Sequence, residues 1–353
     1  MSRFWNRRVA ALHPYIPGEQ PNVADLLKLN TNELPYGPSP RALDAMRAAC
    51  DDTLRLYPDP TAKHLCETIA KTYDVAPDCV FVGNGSDEVL AHAFRGLISD
   101  EAPMLFADVS YGFYPVYCGL FDQPYRTIPL NDRYEIDIED YAGECGGIAI
   151  ANPNANTGIA LSLDSIARLA RLQPDRTIII DEAYVDFGAE STVGLTKEFN
   201  NLLVVQTLSK SRALAGLRVG YAIGHPDLIE GLTRVKDSFN SYPLSRIAQA
   251  GAAASIEDGT WLEQCTTAVK RTREELSRSL KELGFQVLPS CANFILVHHP
   301  RHEASNLSRQ LRERSIIVRH LNTPRIQDWL RISIGTDAES ARLIEALHDI
   351  RAN

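Results

Sequence analysis

A lysine set among hydroxyl side chains is the residue best suited to chemistry in this chain. Lys210 lies in Thr207-Leu208-Ser209-Lys210-Ser211, directly after the apolar run Leu202-Leu203-Val204-Val205, and Arg218 follows eight positions later. Desolvation and a nearby cation both lower the pKa of a lysine, which leaves part of the amine neutral and nucleophilic. A lone lysine is usually a solvated surface charge, but apolar and glycine-rich flanks disfavour that interpretation here. The segment therefore predicts an imine-forming lysine.

A carboxylate ends a second apolar run. Asp181 follows Ile178-Ile179-Ile180 and precedes Glu182, Ala183 and Tyr184. An imine-forming lysine and an acid that pairs with a pyridinium nitrogen are the recurring protein contribution to pyridoxal phosphate (PLP) chemistry. Adjacent carboxylates would also suit glycoside hydrolysis, but neighbours on a strand face opposite sides of the sheet. The pattern therefore favours a PLP enzyme.

A small-residue loop offers a place for a phosphate. The segment Gly83-Asn84-Gly85-Ser86-Asp87-Glu88 follows a predicted strand and opens a predicted helix, whose N-terminus favours an anion. Thr207 and Ser209 add hydroxyls, and Arg218 adds a fork-shaped cation. A simple capped turn and a surface ion pair are the alternatives. Glu88 replaces the third glycine of a dinucleotide fingerprint, which disfavours a nucleotide-dependent dehydrogenase.

Two further side chains are candidates for ligand contacts. Tyr111, in Ser110-Tyr111-Gly112-Phe113-Tyr114-Pro115, suits stacking on a flat cofactor, with a core aromatic as the alternative. Arg331 lies mid-strand on the same face as Ser333 and suits a bidentate clamp on a substrate anion, with an edge-strand charge as the alternative.

A third group of side chains raises the question of a metal. His298, His299 and His302 lack acidic or thiolate partners at ligand spacing. They predict solvated loop histidines and no metal site.

Bulk properties limit the class of protein. The 353 residues suggest ~2 domains. A net charge of −9 argues against nucleic acid or an anionic membrane as the main partner. The seven cysteines include no CxxC pair, which indicates reduced thiols in a cytoplasmic protein. The N-terminus lacks the apolar region of a signal peptide, and no run approaches the ~20 apolar residues of a membrane span.

Helical and strand-like segments alternate along the first two thirds of the chain. Short β-branched runs at 79–82, 148–150, 177–180 and 203–205 predict an α/β fold with a mainly parallel sheet. The candidate residues follow these runs, as expected for a site at the carboxyl ends of strands. A long helical stretch at 245–282 then leads into a smaller α+β unit.

We therefore predict three parts of the chain. An N-terminal arm covers residues 1–30, which belong to a proline-rich segment without a packed core. A large cofactor-binding domain covers 31–240, and a small C-terminal domain covers 241–353. We expect the site between the two domains.

These segments together resemble the fold-type I PLP-dependent aminotransferases, and among them the histidinol-phosphate aminotransferases. The resemblance extends over nearly the whole chain and includes two N-terminal motifs that are narrower than the superfamily. Its motifs are Pro14–Pro21, Leu29–Pro40, Tyr57-Pro58-Asp59, Gly85–Glu88, Asn152-Pro153-Asn154, Asp181–Tyr184, the Lys210 segment and Arg331–Thr336. The resemblance implies PLP as cofactor and an obligate homodimer with shared active sites.

The resemblance also implies roles for individual residues. Lys210 would form the imine and shuttle the proton, Asp181 would hold the pyridine nitrogen protonated, and Tyr184 would bond the ring oxygen O3′. Tyr111 would stack on the ring. The phosphate would be held by Gly85, Ser86, Asp87, Thr207, Ser209 and Arg218, with Tyr57 from the neighbouring subunit. The substrate would meet Tyr15, Asn32, Arg319 and Arg331, the arginines binding its carboxylate or phosphate.

One motif departs from the family pattern. Relatives usually carry Asn-Asn-Pro-Thr-Gly, whose second asparagine touches ring O3′, whereas this chain has Asn154-Ala155-Asn156-Thr157-Gly158. Either Asn154 or Asn156 would take over the contact. We favour Asn154, because it keeps its own place after Pro153.

The expected reaction is transamination between L-histidinol phosphate and 2-oxoglutarate, with small-molecule partners only. Alternatives are an aminotransferase for aromatic or other amino acids and a PLP-dependent decarboxylase of a phosphorylated amino acid, because these share the scaffold. A binding or regulatory protein on the same scaffold is disfavoured, because Lys210 is present and the chain carries no basic arm beyond Arg3, Arg7 and Arg8.

Overall fold

Two β-sheets and their flanking helices form the computed structural model, which describes residues 2–21 and 25–352. Residues 22–24 of the predicted arm, together with Met1 and Asn353, lie outside the described residues. The strands are β1 (Leu27–Leu29), β2 (Val80–Gly83), β3 (Met104–Ala107), β4 (Tyr125–Ile128), β5 (Gly147–Ala151), β6 (Ile178–Asp181), β7 (Leu202–Thr207), β8 (Gly220–Gly224), β9 (Gln286–Val287), β10 (Phe294–His298), β11 (Ile316–His320) and β12 (Trp329–Ser333).

Eleven α-helices surround the two sheets in the described part of the chain. They are α1 (Arg7–Ala11), α2 (Pro40–Ala48), α3 (Lys63–Tyr73), α4 (Ser86–Gly96), α5 (Tyr114–Phe121), α6 (Leu163–Leu172), α7 (Pro226–Asp237), α8 (Arg246–Glu257), α9 (Gly259–Glu282), α10 (Ala304–Glu313) and α11 (Asp337–Ala352). Helix α10 packs on β11 and β12 of the smaller sheet. Serine caps explain several of their starts: Ser162 accepts a hydrogen bond from the Ser165 N–H, and Ser245 accepts one from the Ala248 N–H. The predicted α/β fold is confirmed.

The larger sheet has the order β2-β8-β7-β6-β5-β3-β4. Strands β4, β3, β5, β6 and β7 are parallel, and only β8 runs antiparallel to both of its neighbours. Because β8 reverses direction between β2 and β7, those two strands point the same way. The carboxyl ends of β2, β6 and β7 therefore lie at one edge of the sheet.

Apolar side chains on both faces hold this sheet in the interior. Strands β2, β5, β6, β7 and β8 are buried along their whole length. Ile179 and Leu203 belong to the cluster on one face, while Val204 and Ile178 belong to clusters on the other. Burial on both faces explains why these strands are continuous apolar runs rather than alternating ones.

The smaller sheet has the order β1-β11-β12-β10-β9. Strand β1 pairs in parallel with β11, and the other pairs are antiparallel. Leu27 and Leu29 are buried in this sheet, so the expectation that the proline-rich N-terminal segment lacks a packed core is wrong for β1. The division at residues 30 and 240 stays a prediction, and two contacts bear on it: β1 joins the small sheet, and α8 packs on α2 and α3.

Two other local expectations need correction. The helical stretch predicted at 245–282 is two helices, because Asp258 lies between them and its side chain accepts from the Trp261 N–H to start α9. His299 is buried and packs edge-on against Phe285, with ring centroids 4.9 Å apart, instead of being solvated. The residues next to His299 in the sequence do not predict this contact with Phe285.

Within residues 2–21 and 25–352, no helix is long and apolar enough to cross a membrane. The seven cysteines are all free thiols.

The contact between β8 and the start of α4 leaves no room for a side chain at Gly220. A Cβ there would lie 2.3 Å from the Ser86 nitrogen and 2.5 Å from the Gly85 carbonyl carbon, both backbone atoms. We expect Gly220→Ala to lower the free energy of unfolding by about 1–3 kcal/mol, measured by urea denaturation of the cofactor-free protein. Gly216→Ala is the matched control, because a Cβ at that position meets nothing within 4 Å. Equal midpoints for the two variants would contradict the argument.

Candidate functional site

A small cavity of about 110 Å³ lies at the carboxyl edge of the larger sheet. Its lining residues come from the ends of β5, β6 and β7, from the start of α4, from the loops after β3, β5 and β6 and from the loop before β8. They include Ser86, Asp87, Tyr111, Ala155, Asp181, Tyr184, Thr207, Ser209, Lys210 and Arg218. The structure thus brings together in space nine of the residues that the sequence singled out for the cofactor.

A larger cavity of about 580 Å³ adjoins it and shares Tyr111, Ala155, Tyr184 and Lys210 with it. Its walls come from the N-terminal segment, the larger sheet and the smaller sheet. They include Tyr15, Asn32, Arg319 and Arg331, the residues predicted for the substrate. Lys210 therefore lies where the two cavities meet.

The Lys210 amine is held between the two sheets. Its Nζ donates to the carbonyl oxygen of Thr31 at 3.1 Å and lies 5.7 Å from the centre of the Tyr184 ring. The backbone behind it is fixed, because the Leu208 N–H donates to the Val219 carbonyl and the Ala213 N–H donates to the Lys210 carbonyl. A lysine held by a single neutral acceptor can exchange that bond for a covalent partner without leaving a charge unpaired.

Tyr184 is positioned by Asn32, and Asn32 is fixed by the small sheet. The Asn32 amide donates to the Tyr184 hydroxyl at 3.1 Å. The Asn32 side-chain oxygen accepts from the Ser333 hydroxyl, and its backbone carbonyl accepts from the Asn293 amide. All of these groups are buried, so the phenol is aimed by a chain of bonds that crosses from one sheet to the other.

Asp181 is a buried carboxylate without a cation of its own. Burial raises its pKa to about 6, although hydrogen bonds from the Tyr114 hydroxyl at 3.0 Å and the Ala183 N–H favour the charged form. A cationic ligand atom beside it would restore the ionised state. Tyr114 is a site residue that the sequence analysis missed. The sequence indicates it only by its position three residues after Tyr111.

Glu182 faces the other side of the sheet, as strand alternation predicts. Its carboxylate accepts from the Ser191 hydroxyl, the Thr192 N–H and the Gln206 amide, while burial raises its pKa to about 7. These hydrogen bonds hold the end of β6 on the side of the sheet opposite the cavity, and Glu182 does not line the cavity. The expectation that Asp181 and Glu182 are not a catalytic carboxylate pair agrees with this geometry.

The loop before α4 leaves backbone donors free. Gly85 begins the helix at φ 84°, a conformation that favours glycine, and no side chain caps the first turn. The Asp87 carboxylate accepts from the Tyr111 hydroxyl at 2.7 Å and from Arg218 at 3.1 Å. A carboxylate repels a phosphate, so Asp87 suits a phosphate site through its N–H and by orienting Arg218.

Hydroxyl groups complete this part of the cavity. Arg218 also donates to the Ser209 hydroxyl at 3.3 Å, and the Thr207 hydroxyl donates to Ser209 at 3.0 Å. Arg218 therefore lines the cavity and pairs there with Asp87, although the two side chains are 43% and 39% exposed.

The asparagine motif is arranged differently from the sequence preference. The Asn154 amide donates to the Val109 carbonyl, and its oxygen accepts from the N–H groups of Asn156 and Thr157. Asn154 lines neither of the two cavities, whereas Ala155 lines both. Its side chain builds the turn, so the structure does not bring Asn154 to the place where a contact with a ring oxygen was expected.

Two arginines lie opposite each other on adjacent strands of the small sheet. Arg319 on β11 and Arg331 on β12 are register partners. Arg331 donates to the carbonyls of Asn30 and Ala155 and to the Asn156 side chain, all neutral acceptors, while its Nε has no partner. Burial lowers the pKa of the Arg331 guanidinium from its ordinary value. A buried cation held only by neutral groups is suited to an anionic ligand.

Tyr57 does not reach the cavities of its own chain. It is 78% exposed and stacks on Tyr242, with ring centroids 4.7 Å apart. Phe239, at 80% exposure, is another exposed aromatic residue beyond α7. Among the described residues there is also no group of three or more His, Cys, Asp or Glu that could hold a metal ion.

Two solved structures share this fold. A histidinol-phosphate aminotransferase from Sinorhizobium meliloti, in complex with pyridoxal-5'-phosphate, superposes with a TM-score of 0.88 over 99% of both chains at 24% identity. An L-threonine-O-3-phosphate decarboxylase from Porphyromonas gingivalis gives 0.80 over 93% of this chain and 100% of its own, at 23% identity. Similarity at this level establishes the fold, which both activities share.

The family follows from the sequence relatives. The model of aminotransferase class I and II matches residues 24–347, and the chain belongs to that family. It is 69% identical to a histidinol-phosphate aminotransferase 2 from Gluconobacter oxydans, over 99% of both chains. It is 54% identical to a histidinol-phosphate aminotransferase 1 from Pseudomonas aeruginosa, over 99% of this chain and 100% of that one.

The buried Asp181 gives the cofactor-free protein a specific pH dependence. Its folded pKa of about 6 exceeds the ordinary value of 3.8, so the folded state binds this proton more tightly than the unfolded state. The resulting stability is present at low pH and is lost as the pH rises through the folded pKa. Between about pH 4.5 and about pH 7 this loss is on the order of 2 kcal/mol.

Asp181→Asn removes that titration, and its carboxamide oxygen still accepts from Tyr114. We expect denaturation curves of the variant to show a correspondingly smaller loss over this pH range. Glu182 titrates in both proteins, so the difference between them isolates Asp181. Identical pH dependence in variant and wild type would refute the assignment.

Proposed function

We propose that this chain is a PLP-dependent aminotransferase that exchanges the amino group of L-histidinol phosphate with 2-oxoglutarate, giving imidazole-acetol phosphate and L-glutamate. The observation that carries the proposal is the position of Lys210 between a cavity that ends at Asp181 and a cavity that ends at Arg331. Relatives at 54–69% identity over nearly their full length carry the name of this enzyme.

The residues of the smaller cavity fit PLP. Free N–H groups at the start of α4, two hydroxyls and Arg218 suit its phosphate. Asp181, buried without a cation, suits its pyridine nitrogen, and the Tyr184 hydroxyl suits O3′. Tyr111 is held by Asp87 so that its ring closes one side of the cavity. When bound, the cofactor supplies an electron sink for bond breaking at the substrate α-carbon.

Side chains of the protein bind the cofactor and move the proton. Lys210 provides the amine that binds the cofactor and then moves the proton at the substrate α-carbon. Asp181 keeps a proton on the pyridine nitrogen by its negative charge. Tyr184, held by Asn32, donates to O3′, which is the contact that remains because Ala155 offers none.

The larger cavity holds the substrate in this proposal. Arg331 and Arg319 bind the phosphate of one substrate and a carboxylate of the other. Tyr15 covers the opening, since its ring lies 4.9 Å from Phe113, and the Ile16 carbonyl accepts from Arg319. The segment around Tyr15 therefore spans from the large sheet to the small one and excludes water.

The proposal includes a homodimer with shared active sites. Tyr57 and Tyr242 stack on each other, and these rings and that of Phe239 are exposed on the outside of the chain, as expected for a surface that another subunit covers. In the dimer Tyr57 would reach the phosphate in the partner subunit. A cytoplasmic location also stays part of the proposal.

Replacing Lys210 tests the chemistry directly. We expect Lys210→Ala to lose the visible absorption of the bound cofactor and to lower kcat by at least ~10³-fold, because the described residues that line the two cavities include no other lysine. Lys71→Ala, at an exposed position of α3, is the control and should leave both unchanged. An unchanged spectrum in Lys210→Ala would refute the role of this lysine.

Single-turnover rates with different amines test the substrate. We expect L-histidinol phosphate to react faster than phenylalanine, because its phosphate brings more negative charge to the two arginines than the single carboxylate of phenylalanine does. A preference for phenylalanine would contradict the proposal, and release of carbon dioxide from O-phosphothreonine would favour the decarboxylase alternative.

Hybrid dimers test the shared site. A Lys210→Ala chain mixed with a Tyr57→Ala chain gives hybrids in which one of the two sites has both residues intact, provided that Tyr57 acts across the interface. With random pairing, about a quarter of all sites regain full activity. If Tyr57 acts within its own chain, mixing restores nothing. Each variant alone, unfolded and refolded in the same way, is the control.

A further inference from the structure

The loop of residues 321–328 joins β11 to β12, and so connects the strands that carry Arg319 and Arg331. Its Ile326 is fully buried in a cluster to which both sheets contribute. That cluster also contains Ala107, Val109, Leu130, Leu296 and Trp329. The tip of the arginine-bearing hairpin therefore packs on the large part of the molecule.

Arg325 adds polar contacts at the same place. Its guanidinium donates to the Asp108 carboxylate at 2.8 Å and to the Asn131 carbonyl at 3.2 Å. The carbonyl of Arg325 accepts from the Tyr134 hydroxyl at 3.1 Å, and the guanidinium lies 5.6 Å from the centre of that ring. The side chains of Arg325 and Asp108 are only 33% and 21% exposed, so the pair is partly shielded from water.

Asp108 also faces the substrate cavity. It lines the larger cavity together with Arg319 and Arg331, directly after β3. Its Oδ1 is bound to the Leu130 N–H, and its Oδ2 is bound to Arg325. Without Arg325, a partly buried negative charge would stand unpaired in the wall of a cavity that has to receive anions.

We propose that Arg325 is a specificity-determining residue: by neutralising Asp108 it keeps the larger cavity receptive to a phosphate- or carboxylate-bearing substrate. The inference rests on the proposed function, since it takes the anion to lie at Arg319 and Arg331. Arg325 itself does not line the cavity. It acts through Asp108, so its effect depends on the charge of the ligand and not on the chemistry at Lys210.

The size of the effect follows from the surroundings. For a charge taken to lie about 8 Å from a ligand anion, the effective dielectric constant of about 20 near a protein surface gives a change in affinity of roughly thirtyfold without salt. Screening at about 0.1 M salt reduces this change to roughly three- to tenfold. At 0.1 M salt the interaction between exposed charges decays over a length of about 10 Å, so the effect should shrink as the ionic strength rises. A neutral ligand should not experience it.

A purely structural role for Arg325 is the competing explanation. The loop would then loosen when Arg325 is removed, and every ligand would bind more weakly. Two variants separate these explanations. Asp108→Asn removes the charge that Arg325 neutralises, and Tyr134→Phe removes a bond to the same loop without changing any charge.

The experiment measures apparent dissociation constants of L-histidinol phosphate and of histidinol, its phosphate-free counterpart, from the dependence of the single-turnover rate of the holoenzyme on ligand concentration. We expect Arg325→Gln to weaken the phosphate-bearing ligand about three- to tenfold and to change histidinol less than about twofold. We expect Asp108→Asn/Arg325→Gln to restore the affinity for the phosphate-bearing ligand, and Tyr134→Phe to leave the ratio of the two ligands unchanged.

Equal weakening of both ligands in Arg325→Gln, or no recovery in the double variant, would overturn the proposal. If the wild-type protein does not prefer L-histidinol phosphate to histidinol, the proposed substrate is wrong. The role of Arg325 is then decided by 2-oxoglutarate, a dicarboxylate measured in the same four proteins. Its affinity should fall in Arg325→Gln and recover in the double variant, and any other pattern overturns the inference.

Discussion

The structure depends on two buried charges that are not paired with each other or with side chains of opposite charge. Asp181 is held by a phenol and a backbone N–H, and Arg331 is held by carbonyl and amide oxygens. Among the described residues no salt bridge involves either of them. Neutral partners fix such groups in place without neutralising them, and this arrangement costs stability that a bound ligand can restore. The site is thereby organised for one cationic and one anionic group at a set separation.

The strand order of the larger sheet brings the other components to these charges. Because β8 is inserted antiparallel between β2 and β7, the helix start after β2 and the lysine loop after β7 open on the same edge. The close approach of Gly220 to Ser86 then sets the distance between the loop before α4 and the strand that follows Arg218. A side chain at that position would separate the phosphate donors from Arg218.

Much of this arrangement could be predicted from the sequence, and the reason is physical. Buried parallel strands are continuous apolar runs, and polar residues directly after them must meet at one edge of the sheet. The proximity of Asp181, Lys210 and Ser86 could therefore be predicted from the sequence. Contacts set by the course of a turn were not predictable. Asn154 was preferred for the cavity, yet its side-chain oxygen accepts from two N–H groups of the turn and its amide donates to the Val109 carbonyl on a different loop.

Long-range pairings were the other failure, because short segments carry little local signal. Strand β1 has three residues, and only its pairing with β11, almost three hundred positions later, makes it a strand. The sequence around Tyr114 is equally typical of a core aromatic residue. Only the hydrogen bond from its hydroxyl to Asp181 identifies it as part of the site. Both cases depend on partners that the topology supplies and the local sequence does not.

The two sheets are tied at both ends of the larger cavity, and this limits how the cavity can close. Asn32 links Tyr184 to Ser333 at the end near Lys210, and Arg325 links the arginine hairpin to Asp108 at another wall. A rotation of one sheet against the other would have to break a buried hydrogen-bond chain or expose Ile326, which is fully buried. The segment around Tyr15 is held by weaker contacts, since Tyr15 is 38% exposed and Ile16 is 79% exposed. Displacing it would break the contact between the rings of Tyr15 and Phe113 and the bond from Arg319 to the Ile16 carbonyl, and would leave the buried ties between the two sheets intact.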